Sequence, residues 1–419
     1  MTFSERVHEI RDGFSPTFWI ANTLELFERF AFYGSKAVLA YFLATKVGLK
    51  DEAATLTGWF STVIYSLPIV AGVFVDRYGF RKTLLTCFGM FTVGYFCIGL
   101  AGMEYGAPLT EAIGIRNYVI IVLMLTAIGG SLIKPCIVGT VAKTSKPDVK
   151  ALGFSIYYTL VNLGGAIGPI LAMTVRKDIG IEYVLVMSSI TSAMLFIGTF
   201  LFFKEPEIEE EGEKDIRTFA KVFQDMLLVF KNIKFMGFLI IFSGFWLMFW
   251  QIFYLLPFYA TDVLHFEDFE LLETIDAWGI IILTVPMAAL VKKWKPIRAM
   301  TLGFIFASLS WLIIGAMGTV MSVILGVFFY AIGEATQAPR FYEYVSSLAP
   351  KNQVGTFMGF AFLPVAIGSL TAGYLADWLR ISFLETSPST MWYVVAAIGV
   401  VSTLLMIGYN SLFVKSQSN

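Results

Sequence analysis

The sequence predicts an all-α membrane protein of twelve transmembrane helices, built as two pseudo-symmetric bundles of six. Three observations predict it. The chain of 419 residues is 57% hydrophobic and only 15% charged, where a soluble domain carries about 25% charged residues. Apolar windows of about 20 residues, the length that crosses a bilayer as helix, recur twelve times. Two of those windows, 206 residues apart, open alike: GFSIYYTLVNLGGAIGPILA from Gly153 and GFAFLPVAIGSLTAGYLA from Gly359. Repeated halves of this kind place a transporter's site at the midplane between them.

The first window, 18–47, carries Glu25, Glu28, Arg29 and Lys36. Each charge inside a span costs about 2.5–3.5 kcal/mol. At 100° per residue, Glu25, Arg29, Tyr33 and Lys36 share a stripe about 80° wide, flanked by Glu28 and Phe32. Such a stripe must face a wet, protein-lined path for substrate or ions. Windows two to six run 54–76, 82–102, 117–143, 151–175 and 182–203. They complete an N-terminal bundle, residues 1–203.

A linker, 204–232, follows. It opens with an acidic run from Glu205 to Glu213, read as solvated. Its second part has apolar residues at Phe219, Val222, Phe223, Met226, Leu227 and Phe230. That helical spacing predicts an amphipathic helix at the membrane surface. The C-terminal bundle, 233–419, contains windows 233–261, 271–292, 299–317, 319–347, 354–378 and 391–414. Glu273 and Asp276 open window eight, where a helix dipole accounts for them. Arg340 and Glu343, three apart, read as a structural pair at a helix end.

Twelve spans put both termini on one side. Twenty Lys and Arg lie there, against six on the other side and four within spans. The positive-inside rule makes the richer side cytoplasmic. Window one is read as the insertion signal, because no short charged-then-apolar leader with a small-residue cleavage site precedes it. The forty Phe and 36 Gly suit closely packed membrane helices. Net charge of −1 argues against nucleic acid. Cys87, Cys97 and Cys136 read as core residues, and His8 and His265 fall outside the spans. No nucleophile–base pair, metal cluster or nucleotide loop is visible, so no enzyme is expected.

Between windows two and three the chain reads Gly72-Val-Phe-Val-Asp76-Arg77-Tyr-Gly79-Phe-Arg81-Lys82. This resembles the signature of the major facilitator superfamily, G-x-x-x-D-R-x-G-R-R-K. The glycine allows close packing, the aspartate can take a helix N-terminus or an arginine, and the basic pair anchors to headgroups. The resemblance implies the superfamily's twelve-helix fold and a conformational latch at Gly72, Asp76, Arg77, Gly79, Arg81 and Lys82.

A second series resembles the proton-dependent oligopeptide transporter branch. Glu25-Leu-Phe-Glu28-Arg29-Phe30-Ala-Phe32-Tyr33-Gly34 is similar to E-x-x-E-R-F-x-Y-Y-G. Tyr65 to Pro68, Gly129-Gly130 to Lys134-Pro135, Phe154 to Tyr158, Asn162 and Gly164, Phe245-Trp246 with Gln251, Gly333-Glu334 to Pro339, Leu348 to Lys351, and Met358-Gly359 follow in order. Departures are Phe32 for a Tyr, Lys36 for an Arg, Phe249 and Trp250 where many members carry acids, and Arg340 after Pro339. The linker also lacks room for the two extra helices of many bacterial members.

The resemblance implies proton-coupled uptake of di- and tripeptides by alternating access. A general peptide site must fix both ends of a zwitterion. Arg29, Lys134 and Lys36 offer cations to the carboxylate, and Glu334 offers an anion to the ammonium. Tyr33, Tyr65, Tyr158, Asn162 and Trp246 would line the middle. Proton coupling would use Glu25, Glu28, Arg29 and Lys134, because an unpaired carboxylate in low dielectric takes a proton while one beside Arg or Lys stays ionised. Alternatives are a carrier of another small anion or zwitterion, or a drug-exporting antiporter of the same superfamily. The expected partners are a small-molecule substrate, protons as coupling ion and the lipid bilayer. A monomer in the cell membrane, the inner membrane of a bacterium, with no cofactor and no metal, completes the expectation.

Overall fold

The computed structural model describes residues 13–206, 219–350 and 354–414. Helix is the only extended element among them, apart from an isolated bridge between Phe14 and Ser145. The longer helices are α1 Pro16–Thr45, α2 Ala53–Ser66, α3 Pro68–Tyr78, α4 Phe80–Leu100, α5 Ile115–Ser131, α6 Ile133–Thr144, α7 Lys150–Asp178, α8 Ile181–Phe202, α9 Phe219–Phe230, α10 Ile233–Tyr254, α11 Phe269–Val291, α12 Pro296–Met317, α13 Val320–Leu348, α14 Leu363–Phe383 and α15 Pro388–Tyr409.

Among the described residues, ten helices are long and apolar enough to cross a membrane, and the bent pair Lys50–Ser66 with Pro68–Tyr78 makes an eleventh when it is taken as one span. Twelve were expected from the sequence. Helix α1 is long enough, since 30 residues rise about 45 Å against a hydrocarbon core of about 30 Å. Its four charges take it out of the apolar class. Many of the other helices present large apolar residues outward. On α8, Ile190, Met194, Ile197 and Leu201 are exposed at three- and four-residue spacing, a stripe suited to lipid.

The chain divides into two compact units, Met1–Ser35 with Leu67–Val222 and Lys36–Ser66 with Phe223–Asn419. One division falls inside α1, a second where span two bends by 49° between α2 and α3, and a third inside α9. Pro68 causes that bend, because its ring removes one helical hydrogen bond and crowds the preceding turn. Pro135 acts likewise between α5 and α6, where the helix breaks at Leu132.

In the first unit, α1 meets α7 through glycines. A Cβ at Gly168 would lie 2.8 Å from the Phe30 carbonyl oxygen, and one at Gly164 would run into Arg29. In the second unit, a Cβ at Gly333 on α13 would lie 2.6 Å from the Gly303 carbonyl oxygen on α12. Residues bulkier than glycine would push these helices apart.

The predicted surface helix appears as α9, although the preceding acidic residues from 207 onward lie outside the described residues. Phe223, Leu227, Leu228 and Phe230 are exposed on it, while Val222 and Val229 are buried. Cys87 and Cys136 are buried free thiols, as expected of core residues.

Candidate functional site

Two clusters of buried charge stand out, one in each unit. The first is on α1. Arg29 Nε lies 3.4 Å from Glu25 Oε1 and also bonds Glu28 Oε2. All three side chains are at most 3% exposed. The spacing i, i+4 explains the Glu25 contact. The guanidinium carbon also lies 4.8 Å from the Phe32 ring centroid and 5.9 Å from that of Tyr33. Phe32, which lacks the hydroxyl of the usual Tyr, therefore serves Arg29 with its ring face. Neither Glu28 Oε1 nor either Glu25 oxygen accepts a hydrogen bond among the described residues.

Lys134 begins the first turn of α6, just past the break at Leu132. Its charged neighbours are Arg29, Glu25 and Glu28. Its Nζ meets the Tyr157 hydroxyl at 3.3 Å. The sequence pointed instead to Tyr158, which is 42% exposed. Tyr157 is the buried one of the pair, and no periodicity distinguishes two adjacent tyrosines. Asn162 donates from Nδ2 to the Tyr158 carbonyl one turn back, at 2.8 Å.

The second cluster surrounds Lys36. Its Nζ lies 3.9 Å from the Phe253 ring centroid, 4.0 Å from Trp250 and 5.1 Å from Phe249. Those three residues share one face of α10 at i, i+1 and i+4. Tyr65 packs edge-on against Trp250 at 5.8 Å. Trp246 is edge-on to Phe249 at 5.1 Å, and a Cβ at Gly368 of α14 would lie 2.5 Å from its Cβ.

Asp276 on α11 and Glu334 on α13 have Lys36 as their charged counterpart. The dipole role expected of Asp276 does not hold, because it lies two turns inside α11, which starts at Phe269. Gly279 seats α11 on α13: its Cβ would lie 2.5 Å from that of Ala331. Asp276 and Glu334 each stand one turn from this crossing.

The latch motif is built around Gly79, whose φ of 82° ends α3 and starts α4. The Glu205 carboxylate accepts from Phe80 N at 2.6 Å and Arg81 N at 2.9 Å, capping α4. The motif reading gave such a role to Asp76, which instead is exposed and makes no hydrogen bond or ion pair among the described residues. Arg81 donates to the Phe200 carbonyl at 2.5 Å. Gly72 has open space where a Cβ would stand, and Arg77 and Lys82 are exposed. Arg340 pairs with Glu343 at 2.5 Å and donates to the Trp294 carbonyl, as expected of a structural pair. No group of three His, Cys, Asp or Glu suited to a metal occurs among the described residues.

Membrane-length helices with buried charges on them define a multi-pass membrane protein. The chain belongs to the Major Facilitator Superfamily, whose family model matches residues 21–373. It is 23% identical over 450 aligned positions to dipeptide and tripeptide permease B of Shigella dysenteriae serotype 1, covering 88% of each chain. It is 24% identical over 347 positions to the multidrug resistance protein MdtH of Salmonella paratyphi B, covering 82% of this chain and 81% of that one. Among solved structures it superposes on a POT family transporter bound to a thioalcohol-conjugated peptide, with TM-score 0.76, 17% identity and 94% and 96% coverage. It superposes equally on a POT family transporter bound to 5-aminolevulinic acid, with TM-score 0.76, 18% identity and the same coverage. The resemblance to the peptide-transporter branch read from the motifs agrees with these matches.

Proposed function

We propose that this protein is a proton-coupled symporter of di- and tripeptides in the cell membrane, working by alternating access as a monomer. In this reading α1 is the twelfth span and both termini are cytoplasmic. The observation that carries the reading is the buried set Glu25, Glu28 and Arg29 on α1, with Lys134 as its charged neighbour. Two carboxylates facing two cations make a set whose pairing a proton can change. Protonation of Glu25 or Glu28 releases a cation, and the released cation receives the substrate carboxylate. Glu334 receives the substrate ammonium. Tyr33, Tyr65, Tyr158, Asn162 and Trp246 tolerate varied side chains between the two ends.

The names of the peptide permease and of the solved peptide transporters support this substrate class. The test is uptake of labelled dialanine into proteoliposomes with an acid exterior and a negative interior. Accumulation should collapse with a protonophore and in Glu25→Gln or Glu28→Gln, while counterflow survives. Proton-driven accumulation persisting in both variants overturns the coupling scheme. The similarity to MdtH supports a second reading, a drug-exporting antiporter. It predicts proton-driven efflux of a cationic dye and no dialanine uptake.

A further inference from the structure

We infer that Tyr157 is a positioning residue for proton coupling: its hydroxyl is the second seat of the Lys134 ammonium, used when the carboxylates of α1 do not hold it. That role rests on the proton-coupled reading above and adds a residue outside the motif positions.

Packing puts Tyr157 in place. Helix α7 runs along α1 on small residues. A Cβ at Gly153 would lie 3.3 Å from the Phe18 ring, one at Gly164 would run into Arg29, and one at Gly168 would meet the Phe30 carbonyl oxygen at 2.8 Å. Tyr157 stands one turn past Gly153 and two turns before Gly164, on that same stripe. Both helices advance in step, so it comes level with the turn of α1 that holds Asn22 and Glu25. Tyr157 is buried, whereas Tyr158, the motif position, is exposed. The charged neighbours of Tyr157 on α1 are Glu25, Arg29 and Glu28, and Tyr33 is a further titratable one.

Hydrogen bonding gives the residue its task. Lys134 Nζ donates to the Tyr157 hydroxyl at 3.3 Å and makes no ion pair within 4.0 Å among the described residues. A phenol oxygen that accepts from an ammonium keeps its own hydrogen to donate. Both Glu25 oxygens are buried and accept no hydrogen bond among those residues. Tyr157 thus stands beside a cation and a carboxylate, fit to accept from one and donate to the other. A bond from an ammonium to an ionised carboxylate is the stronger kind, and one to a neutral oxygen is weaker. Lys134 therefore leaves Tyr157 for an ionised Glu25 or Glu28, and returns to it when a proton neutralises the acid. Arg29, tied to both glutamates, competes for the same oxygens. Cys87 and Tyr95 of α4 neighbour Glu28 and offer no cation. Without the Tyr157 hydroxyl the released lysine has no seat, so the acid takes its proton only at lower pH.

The test compares wild type with Tyr157→Phe in proteoliposomes, by uptake of labelled dialanine against external pH and by counterflow at equal pH. The pH of half-maximal uptake should fall by about one unit, a tenfold change in proton concentration and the order of one hydrogen bond to a charged group. Counterflow should survive. Thermal melts of the purified full chain in detergent need no substrate and show that each variant is folded. Tyr157→Phe should lower the melting temperature more at about pH 5 than at about pH 8, and much less in a Lys134→Met background.

An unchanged or raised pH of half-maximal uptake overturns the inference and leaves the proton-coupled reading standing. Loss of counterflow in folded Tyr157→Phe makes the residue a substrate contact and also overturns the inference. Wild-type uptake indifferent to pH overturns the proton-coupled reading and the inference with it. Absence of dialanine uptake by folded wild type overturns the peptide reading, and the melts then decide: a loss that is greater in acid and needs Lys134 upholds the inference, and an equal loss at both pH values overturns it.

Discussion

The ammonium of Lys36 sits 3.9 Å from the ring centroid of Phe253, so a buried cation on α1 is held by a π face on α10. Such a contact contributes about 2 kcal/mol when desolvated. Phe253→Leu should lower the stability of the protein by about 1–3 kcal/mol, from lost attraction and lost packing. In a Lys36→Met background the same substitution should cost less. A double-mutant cycle on urea or thermal unfolding in detergent measures the difference. Equal costs in both backgrounds would mean that the ring only fills space.

Glu205 links the start of the inter-bundle linker to the N-terminus of α4 by two hydrogen bonds. Removing a capping side chain costs about 1 kcal/mol, and a carboxylate at a helix N-terminus adds a charge–dipole contribution. Glu205→Ala should lower the melting temperature, and Glu205→Gln should lower it less. Asp76→Asn, at an exposed position without such bonds, should leave it unchanged.

Asp377 on α14 serves α2 in the same manner, accepting from Thr55 N at 2.7 Å and Ala54 N at 3.1 Å. It is 4% exposed. Asp377→Ala would strand two amide donors in a buried place, at a cost of about 1–3 kcal/mol each. We expect poor expression rescued by low temperature, and a large drop in the melting midpoint. Asp377→Asn should keep one acceptor and lose roughly half as much.

Gly333 touches α12 at the residue before Glu334. A methyl group there would meet the Gly303 carbonyl oxygen at 2.6 Å. Overpacking of this kind costs about 1–3 kcal/mol. Gly333→Ala should therefore destabilise the protein and also displace Glu334. Uptake per folded molecule should fall, as scored against the fraction surviving a heat step.

Much of this was legible in the chain because membranes make charge conspicuous. Glu25, Glu28, Arg29 and Lys36 stood out against an apolar window, and the helix puts Glu25, Glu28 and Arg29 in one network. The breaks at Pro68 and Pro135 fall inside windows read as continuous, 54–76 and 117–143. What escaped was set by contacts between distant segments. Glu205 caps α4 from 125 residues away, and nothing local to Asp76 reveals that its expected role is taken. Asp276 looked like a helix-start residue until the true start at Phe269 placed it two turns inside. Tyr157 and Tyr158 differ only in the direction that α7 turns them.

The aromatic hold on Lys36 has a consequence for how related sequences should vary. Three departures from the peptide-transporter pattern, Lys36, Phe249 and Trp250, are in mutual contact. They are one substitution written at three places. A flat guanidinium asks for a carboxylate fork, and a compact ammonium can be content with rings. Lineages carrying an acid at position 249 or 250 should carry arginine at 36, and lineages with rings should carry lysine. Exchanging one member alone should do harm that exchanging the set repairs.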